Sequence, residues 1–126
     1  MPEGLLKGEL LGIKEASMRN QHDLLKYHEE MCNNARALMK AKNTDYARDE
    51  IFGNLDVCER VGLCSTEYGI IIRIFDKLSR LKNVLAMGEG FVKDESIEDT
   101  IVDLINYSVL MAAKQEQRKQ AATHGE

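Results

Sequence analysis

Proline occurs only once in this chain, at Pro2, so no later residue interrupts a helix by lacking a backbone N–H. Valine and isoleucine stand inside helix-length segments and do not alternate with polar residues in short runs bounded by turns. A chain of 126 residues is usually one domain whose core removes about two-thirds of the unfolded surface from water. We therefore predict an all-α domain, a helical bundle of about four helices.

Charge and hydropathy exclude several classes of protein. The chain has 17 basic and 21 acidic residues and a formal net charge of −4, so its overall charge does not attract nucleic acid or anionic lipid. No apolar run approaches the roughly 18 residues of a membrane span, and the first residues lack the pattern of a secretory signal. We expect a cytoplasmic protein with no membrane partner and no direct nucleic-acid binding. Reduced, partly buried thiols are expected at Cys32, Cys58 and Cys64.

Apolar residues at helical spacing define the first predicted helix, over 18–42. Its buried face is predicted to hold Leu24, Met31, Ala35, Leu38 and Met39. Polar turn formers at 42–46 are expected to end this helix. The segment 47–63 permits either a short helix or a loop with turns, because Gly53 and Asn54 interrupt its apolar pattern.

Two further helices have clearer ends. Ser65 or Thr66 is a suitable N-cap for a helix that runs to about Met87 and stops at Gly88. Its predicted apolar face consists of Ile71, Ile74, Phe75, Leu78, Leu81 and Leu85. Ser96 is predicted to precede a last helix, which runs to about Lys114. Its buried stripe is predicted to hold Ile97, Ile101, Leu104, Ile105 and Val109, and the polar tail beyond it is expected to fray.

Four charged residues lie along one stripe of the helix predicted to follow Ser65. Arg73, Asp76, Lys77 and Arg80 follow one another at offsets that a helix places on one side. As a solvated face, this stripe would hold ordinary helix ion pairs, each contributing only about 0.3–0.5 kcal/mol. As a functional face, its cations would neutralise the phosphates of a bound ligand.

The last predicted helix carries an acidic row. Glu95, Asp99 and Asp103 fall at successive offsets of four, and Asn106 and Tyr107 extend the same face. Carboxylates stacked in this way repel one another by a few tenths of a kcal/mol per pair, so another group must compensate. A magnesium ion that keeps several waters would compensate. For Asp99, a capping box or the positive end of the helix dipole is an equally open explanation.

Consecutive helices joined by a short loop tend to pack antiparallel, which would place the two charged rows together. Carboxylates beside cations are the arrangement that a nucleoside triphosphate with magnesium requires. The predicted metal ligands are Asp76, Asp99 and Asp103. The predicted phosphate-binding residues are Arg73, Lys77 and Arg80. Glu95 is predicted as a further ligand or as the base, and the predicted catalytic residues are Glu95 and Asp99.

Three blocks of the sequence resemble the nucleotide modification associated domain 1 family of phages and bacteria. The blocks are Lys42-Asn43-Thr44-Asp45-Tyr46, the stretch from Gly69 to Asn83 and the stretch from Glu95 to Tyr107. The helical layout of that family is similar to that of the all-α NTP pyrophosphatases, which include MazG and dimeric dUTPases. The resemblance implies a MazG-like bundle that uses magnesium, or manganese, to hydrolyse a nucleoside triphosphate to the monophosphate and pyrophosphate in phage or bacterial nucleotide metabolism.

The resemblance also implies which residues contact the nucleotide. The candidates for this role are Lys42, Asn43, Asp45, Tyr46, Asn106 and Tyr107. Related folds assemble as dimers or tetramers, so a homo-oligomer is expected, in the host cytoplasm if a phage encodes the chain. The implied organisation is an N-terminal segment (1–17), a helical nucleotide-binding domain (18–114) and a polar C-terminal tail (115–126).

The metal-binding pattern departs from that of the MazG-like enzymes, which use an E-x-x-E pair on one helix and an E-x-x-D pair on another. The corresponding positions here read Arg73-x-x-Asp76 and Asp99-x-x-x-Asp103, with fewer carboxylates and more cations. An alternative is therefore a non-catalytic nucleotide-binding accessory or sequestering protein linked to DNA base modification or phage defence. A third possibility is a structural helical protein whose polar rows form salt bridges.

Overall fold

A computed structural model describes residues 18–46, 52–88 and 97–124, and for 43–46 it describes the backbone only. The described residues form the helices α1 (Gln21–Tyr46), α2 (Val57–Arg60), α3 (Thr66–Met87) and α4 (Ile97–Thr123). None of the described residues lies in a β-strand, which confirms the predicted all-α bundle. Within these same ranges, no helix combines the length and the apolar character needed to cross a bilayer.

Local side-chain chemistry sets both ends of α3. Ser65 is extended, and its Oγ accepts a hydrogen bond from the backbone N–H of Tyr68 at 3.1 Å. At the other end, Gly88 has a φ of 84°, which glycine adopts without the strain that a β-carbon would add. The Gly88 N–H donates to the carbonyl of Val84 at 3.3 Å. Both predicted ends of this helix are therefore confirmed, with Ser65 as the N-cap.

Helices α1 and α4 are longer than predicted. The turn predicted at 42–46 is wrong, because α1 continues through this stretch to Tyr46. Its polar residues each cost less than about 0.7 kcal/mol in a helix relative to alanine, which is too little to end a helix of this length. Helix α4 runs on to Thr123 and does not fray after Lys114. Most residues of this extension are good helix formers, and part of it bonds α3, as described below.

The described part of the link between α1 and α3 is irregular. Residues 52–56 form turns that lead into the short helix α2. The Arg60 guanidinium donates to the carbonyl of Gly53 at 2.9 Å and so ties α2 back to these turns. The sequence left a short helix and a loop with turns as alternatives for this segment, and the described residues contain both.

Helix α4 lies at the centre of the fold, because α1 and α3 both pack on it. On the α1 side, Met31 and Ala35 are buried against Val102 of α4. Partly buried side chains surround this core, namely Tyr27, Leu38, Ile101 and Ile105. Helix α3 meets a different face of α4 through Lys77, which contacts Asp103. Within the described ranges α1 and α3 do not pack against each other, so the bundle is open on one side.

The packed face of α3 differs in part from the prediction. Ile70 is fully buried, and Ile74 and Leu81 are half-buried on the same side of the helix. Three residues that were predicted to be core are exposed, namely Phe75, Leu78 and Leu85. Leu24 of α1 and Val109 of α4, also predicted to be buried, are likewise about half exposed. Apolar residues cover more of the α3 circumference than α4 can cover, so periodicity alone does not identify the packed side.

Candidate functional site

Three cations of α3 share the side of the helix that meets α4. Arg73, Lys77 and Arg80 are spaced four and three residues apart, which places them within a narrow arc of the helix. Lys77 is the member of this group that reaches across to α4, where its Nζ lies 2.9 Å from Oδ2 of Asp103. The side chains of both partners are about one-fifth exposed, at 21%. This arrangement places a cationic arc along the seam between α3 and α4.

Helices α3 and α4 run antiparallel, as predicted. Glu67 near the start of α3 contacts Arg118 near the end of α4, whereas Lys77, further along α3, contacts Asp103, which precedes Arg118. This register places Arg80 near the level of Asp99 at the start of α4. The Lys77–Asp103 ion pair therefore joins the cationic row of α3 to the acidic row of α4, whereas the predicted placement of Asp76 beside Asp99 and Asp103 is wrong.

Asp76, the α3 carboxylate that was predicted to lie beside Asp99 and Asp103, does not contact α4 through this ion pair. Asp76 is exposed, and neighbouring helical residues project about 100° apart, so its side chain leaves α3 in a different direction from that of Lys77. Asp103 is instead neutralised by a lysine. Asp99 is half-buried on the same helix, one turn before Asp103. The part of the chain that the structure describes thus pairs a carboxylate of α4 with a cation of α3, and not with a second carboxylate.

The fit of a magnesium ion can be tested on these groups. Among the described residues, no three histidine, cysteine, aspartate or glutamate side chains lie close enough together to hold a metal ion. The remaining predicted ligand, Glu95, lies outside the described residues. Magnesium requires oxygen ligands, usually one or two carboxylates plus phosphate oxygens, and Asp103 already bonds Lys77. The described residues alone therefore do not constitute a magnesium site.

The other predicted nucleotide contacts are dispersed. Lys42 is exposed near the end of α1, and the backbone at Asn43, Asp45 and Tyr46 is helical, while the side chains of those three residues lie outside the described part. Because α1 and α3 pack on different faces of α4, the described contacts do not bring Lys42 to the α3 cations. Two more candidates are half-buried on α4, namely Asn106 and Tyr107.

A second polar cluster, which the sequence did not predict, lies where α2, α3 and α4 meet. Lys114 of α4 is 5% exposed, and its Nζ lies 3.1 Å from Oδ1 of Asp56 and 4.4 Å from the centroid of the buried Phe52 ring. The same Asp56 oxygen accepts a hydrogen bond from the Thr66 hydroxyl at 2.6 Å, and Thr66 is fully buried. The Lys114 ammonium also donates to the Gln117 side chain at 2.7 Å. The buried charges are thus mutually compensated.

Arg118 extends this cluster toward solvent. Its guanidinium donates two hydrogen bonds to the Glu67 carboxylate, and a third, at 2.7 Å, to Oε1 of Glu59. The backbone N–H of Thr66 also donates to Oε1 of Glu59 at 2.7 Å. That backbone bond and then Arg118 lower the pKa of Glu59 to about 2. Arg118 is the largest cause of the lowered pKa of Glu67, and the two carboxylates raise the pKa of Arg118 in turn.

An open pocket of about 700 Å³ is lined by Glu59, Glu67 and Arg118 and also by Cys64. A hydrogen bond with Cys58, followed by burial, raises the pKa of the Cys64 thiol. A nucleophilic cysteine requires the opposite shift, so the pocket does not activate this thiol. All three cysteines are free and half-buried, which confirms the prediction for them. The charged side chains that line the pocket are bonded to one another, and these ion pairs join α2, α3 and α4.

The second cluster left no signal in the sequence. Glu67 and Arg118 are separated by 51 positions, and Glu59 and Arg118 by 59. Local spacing rules on a helix connect residues only three or four positions apart, so no such rule joins these partners. Glu67 alone has a local explanation, as an acid in the first turn of α3.

The fold and the contact between α3 and α4 therefore define an all-α protein in which these two antiparallel helices carry complementary charges. Residues 67–114 match the sequence profile of a family described as nucleotide modification associated domain 1. The match spans α3 and most of α4, and so includes both charged rows, whereas the block at 42–46 lies outside it. No curated protein and no solved structure matches the chain.

Proposed function

We propose that the seam between α3 and α4 binds a phosphorylated nucleotide, with a nucleoside triphosphate as the first candidate. The observation that carries this proposal is the arc of Arg73, Lys77 and Arg80 beside α4, with Lys77 bonded to Asp103. The matched family is described by its association with nucleotide modification, and the matched residues include this whole arc. A nucleotide ligand would place the protein in the cytoplasm, where such compounds occur.

The chemistry of the three cations suits a chain of phosphates. A guanidinium presents N–H groups in a fork that matches two phosphate oxygens, and a lysine adds a point charge. Arg73 and Arg80 are exposed on either side of the half-buried Lys77, so solvent reaches both guanidinium-bearing side chains. Asp103 competes with phosphate for Lys77, which makes this carboxylate a control on the affinity of the site.

Magnesium-dependent hydrolysis of the triphosphate to the monophosphate and pyrophosphate is the second candidate. It is favoured by the position of Asp99 and Asp103, one turn apart on α4 and beside the cations. Glu95 and Asp99 are the catalytic residues in this proposal, and Asp76, whose exposed side chain leaves α3 in another direction, has no part in it. Because the described residues do not form a magnesium site, we derive no catalytic step through the metal.

Calorimetry with a panel of NTPs and dNTPs, with and without magnesium, tests binding, and chromatography of the products tests hydrolysis. Arg73→Ala and Arg80→Ala should each weaken binding by about ten-fold to about 150-fold, because each removes a charge-assisted contact of about 1.5–3 kcal/mol. The matched control is Arg36→Ala, which removes an exposed arginine from α1 and should not change the affinity. Equal affinities of all three variants would contradict the proposed site.

Asp103→Asn distinguishes the two candidates. If Asp103 only restrains Lys77, its neutralisation removes a competitor of phosphate, and the nucleotide binds more tightly without magnesium. If Asp103 is a metal ligand, the same variant weakens binding in magnesium and abolishes release of pyrophosphate. A protein whose melting temperature responds to neither nucleotides nor magnesium would favour the third possibility, a purely structural role.

A further inference from the structure

Helix α3 carries two apolar seams, and α4 covers one of them. The inner seam faces α4 and has heptad-like steps of four and three; its members are Ile70, Ile74, Lys77, Leu81 and Val84. The outer seam has steps of three and four; its members are Tyr68, Ile71, Phe75, Leu78, Lys82 and Leu85. Alternating steps of three and four are the pattern with which one helix packs along another. The outer seam therefore has the pattern of a helix–helix interface.

None of the described helices packs on the outer seam. Tyr68 and Phe75 are each 64% exposed, and Leu78 and Leu85 are also exposed. Ile72 adds to the same face and is likewise exposed. A helix packed on one side normally turns charged and polar residues to solvent, and α3 does not do so here. Lys82 is the one charged member of this seam.

We propose that a second copy of this chain covers the outer seam, with the two α3 helices antiparallel about a two-fold axis. An axis between Asp76 and Lys77 places Phe75 opposite Leu78 of the partner subunit. The same axis pairs Tyr68 with Leu85 and Ile71 with Lys82 across the interface. Each aromatic ring thus meets a leucine, and the seam is complementary to itself, as a two-fold interface requires. The aliphatic stem of Lys82 can cover the isoleucine while its ammonium stays in water.

Charge selects the antiparallel arrangement. In a parallel pair, the two Lys82 side chains would lie side by side in the seam. In the antiparallel pair they lie about 16 Å apart along the helix axes, beyond the Debye length of about 8 Å at physiological salt. The residues that flank the seam on one side, Ile72, Ser79 and Ala86, carry no charge. The antiparallel interface therefore opposes no like charges at close range.

The exposed area is sufficient for a specific dimer. An aromatic side chain buries about 150–250 Å² when it is covered. The exposed fractions of the two aromatic residues, of Leu78 and Leu85 and of the neighbouring Ile72 give one face on the order of 500 Å², and two copies together about 1,000 Å². This total is about where specific interfaces begin. This dimer proposal does not depend on nucleotide binding, because Arg73 and Arg80 are not members of the outer seam.

Light scattering during size-exclusion chromatography, over a range of concentrations, tests the proposal. The wild-type chain should elute at twice its mass of 14.3 kDa. Phe75→Lys and Leu78→Glu should each raise the dimer dissociation constant at least about thirty-fold, because they place a charge at the centre of the interface. The matched control is Leu25→Glu, at a site on α1 that is 58% exposed; it should leave the dimer intact.

Mixing the Phe75→Lys and Leu78→Glu variants tests the register. The antiparallel pairing places the two introduced charges of opposite sign next to each other, so a heterodimer should form at concentrations at which each variant alone is monomeric. Circular dichroism should show unchanged helix content in both, since both sites are exposed. A monomeric wild-type chain, a dimer that both variants retain, a dimer that Leu25→Glu disrupts, or a mixture that stays monomeric would overturn the proposal.

Discussion

Lys114 is bonded to Asp56 at 3.1 Å, and this ion pair joins the turns before α2 to the second half of α4. The lysine side chain is 6% exposed and that of the aspartate 28%. Asp56 also accepts a hydrogen bond from the Thr66 hydroxyl at the start of α3. One carboxylate therefore links the turns before α2, the start of α3 and the second half of α4. The two partners differ in burial, so their removal should differ in cost.

Asp56→Ala should destabilise the protein by about 3 kcal/mol, because it leaves a buried ammonium without its carboxylate. Lys114→Met keeps the side-chain volume and leaves a carboxylate that water and Thr66 still reach, so it should cost about 1 kcal/mol. Urea unfolding followed by circular dichroism measures both. An exposed control, Asp76→Ala, should change the free energy of unfolding by less than about 0.5 kcal/mol. A larger cost for Lys114→Met than for Asp56→Ala would contradict this interpretation of the pair.

Arg118 should link stability to acid pH through its two glutamates. The folded state lowers the pKa of Glu59 from 4.5 to about 2 and also lowers that of Glu67. A lowered folded pKa stabilises the protein above the unfolded value, and this stabilisation is lost as the pH falls from about 4.5 toward 2. We expect the free energy of unfolding to decrease over that range.

The Arg118→Gln variant separates the two causes. Arg118 is the largest cause for Glu67, whereas the backbone N–H of Thr66 is the largest for Glu59. The pKa of Glu67 should therefore return most of the way to its ordinary value, and that of Glu59 only in part. Carboxyl chemical shifts followed by NMR during a pH titration measure both. A greater rise at Glu59 than at Glu67 would show that the assignment of causes is wrong.

The N-cap of α3 provides a stability prediction that depends on a single hydrogen bond. Ser65→Ala removes the acceptor of the Tyr68 N–H and should cost about 1 kcal/mol in thermal or urea unfolding. Ser65→Asp keeps an acceptor and should retain most of the stability. The matched control is Ser108→Ala, at an exposed site inside α4, which should be neutral or slightly stabilising. Equal effects at the two serines would argue against the cap.

Gly69 lies inside α3, where alanine ordinarily stabilises a helix by roughly 0.5–1 kcal/mol relative to glycine. A β-carbon at this position would lie 2.9 Å from the Cys58 sulfur, so the gain should be absent in Gly69→Ala. In a Cys58→Ala background the space is open, and the same substitution should stabilise. A double-mutant cycle should yield a coupling of at least about 1 kcal/mol. Additive effects would show that Cys58 rotates away without cost.

The local features of the fold were predictable from the sequence. Ser65 and Gly88 act on residues within one turn, so both ends of α3 follow from local chemistry. The cationic arc is likewise local, because a helix alone determines which residues share one of its sides. The C-terminal ends of α1 and α4 were predicted wrongly, because weak helix formers and polar tails do not stop a helix as glycine does.

The contacts between helices could not be predicted from local chemistry. The apolar pattern of α3 contains two seams, and the packing of α4 selects the one that includes Ile70. The same register brings Lys77, and not Asp76, to Asp103, and places Arg118 beside Glu67. These outcomes depend on how two helices rotate and slide against each other, and a difference of one residue, about 100° around the axis, changes which side chain reaches across. The sequence of a single helix determines its faces but not the neighbour that covers each one.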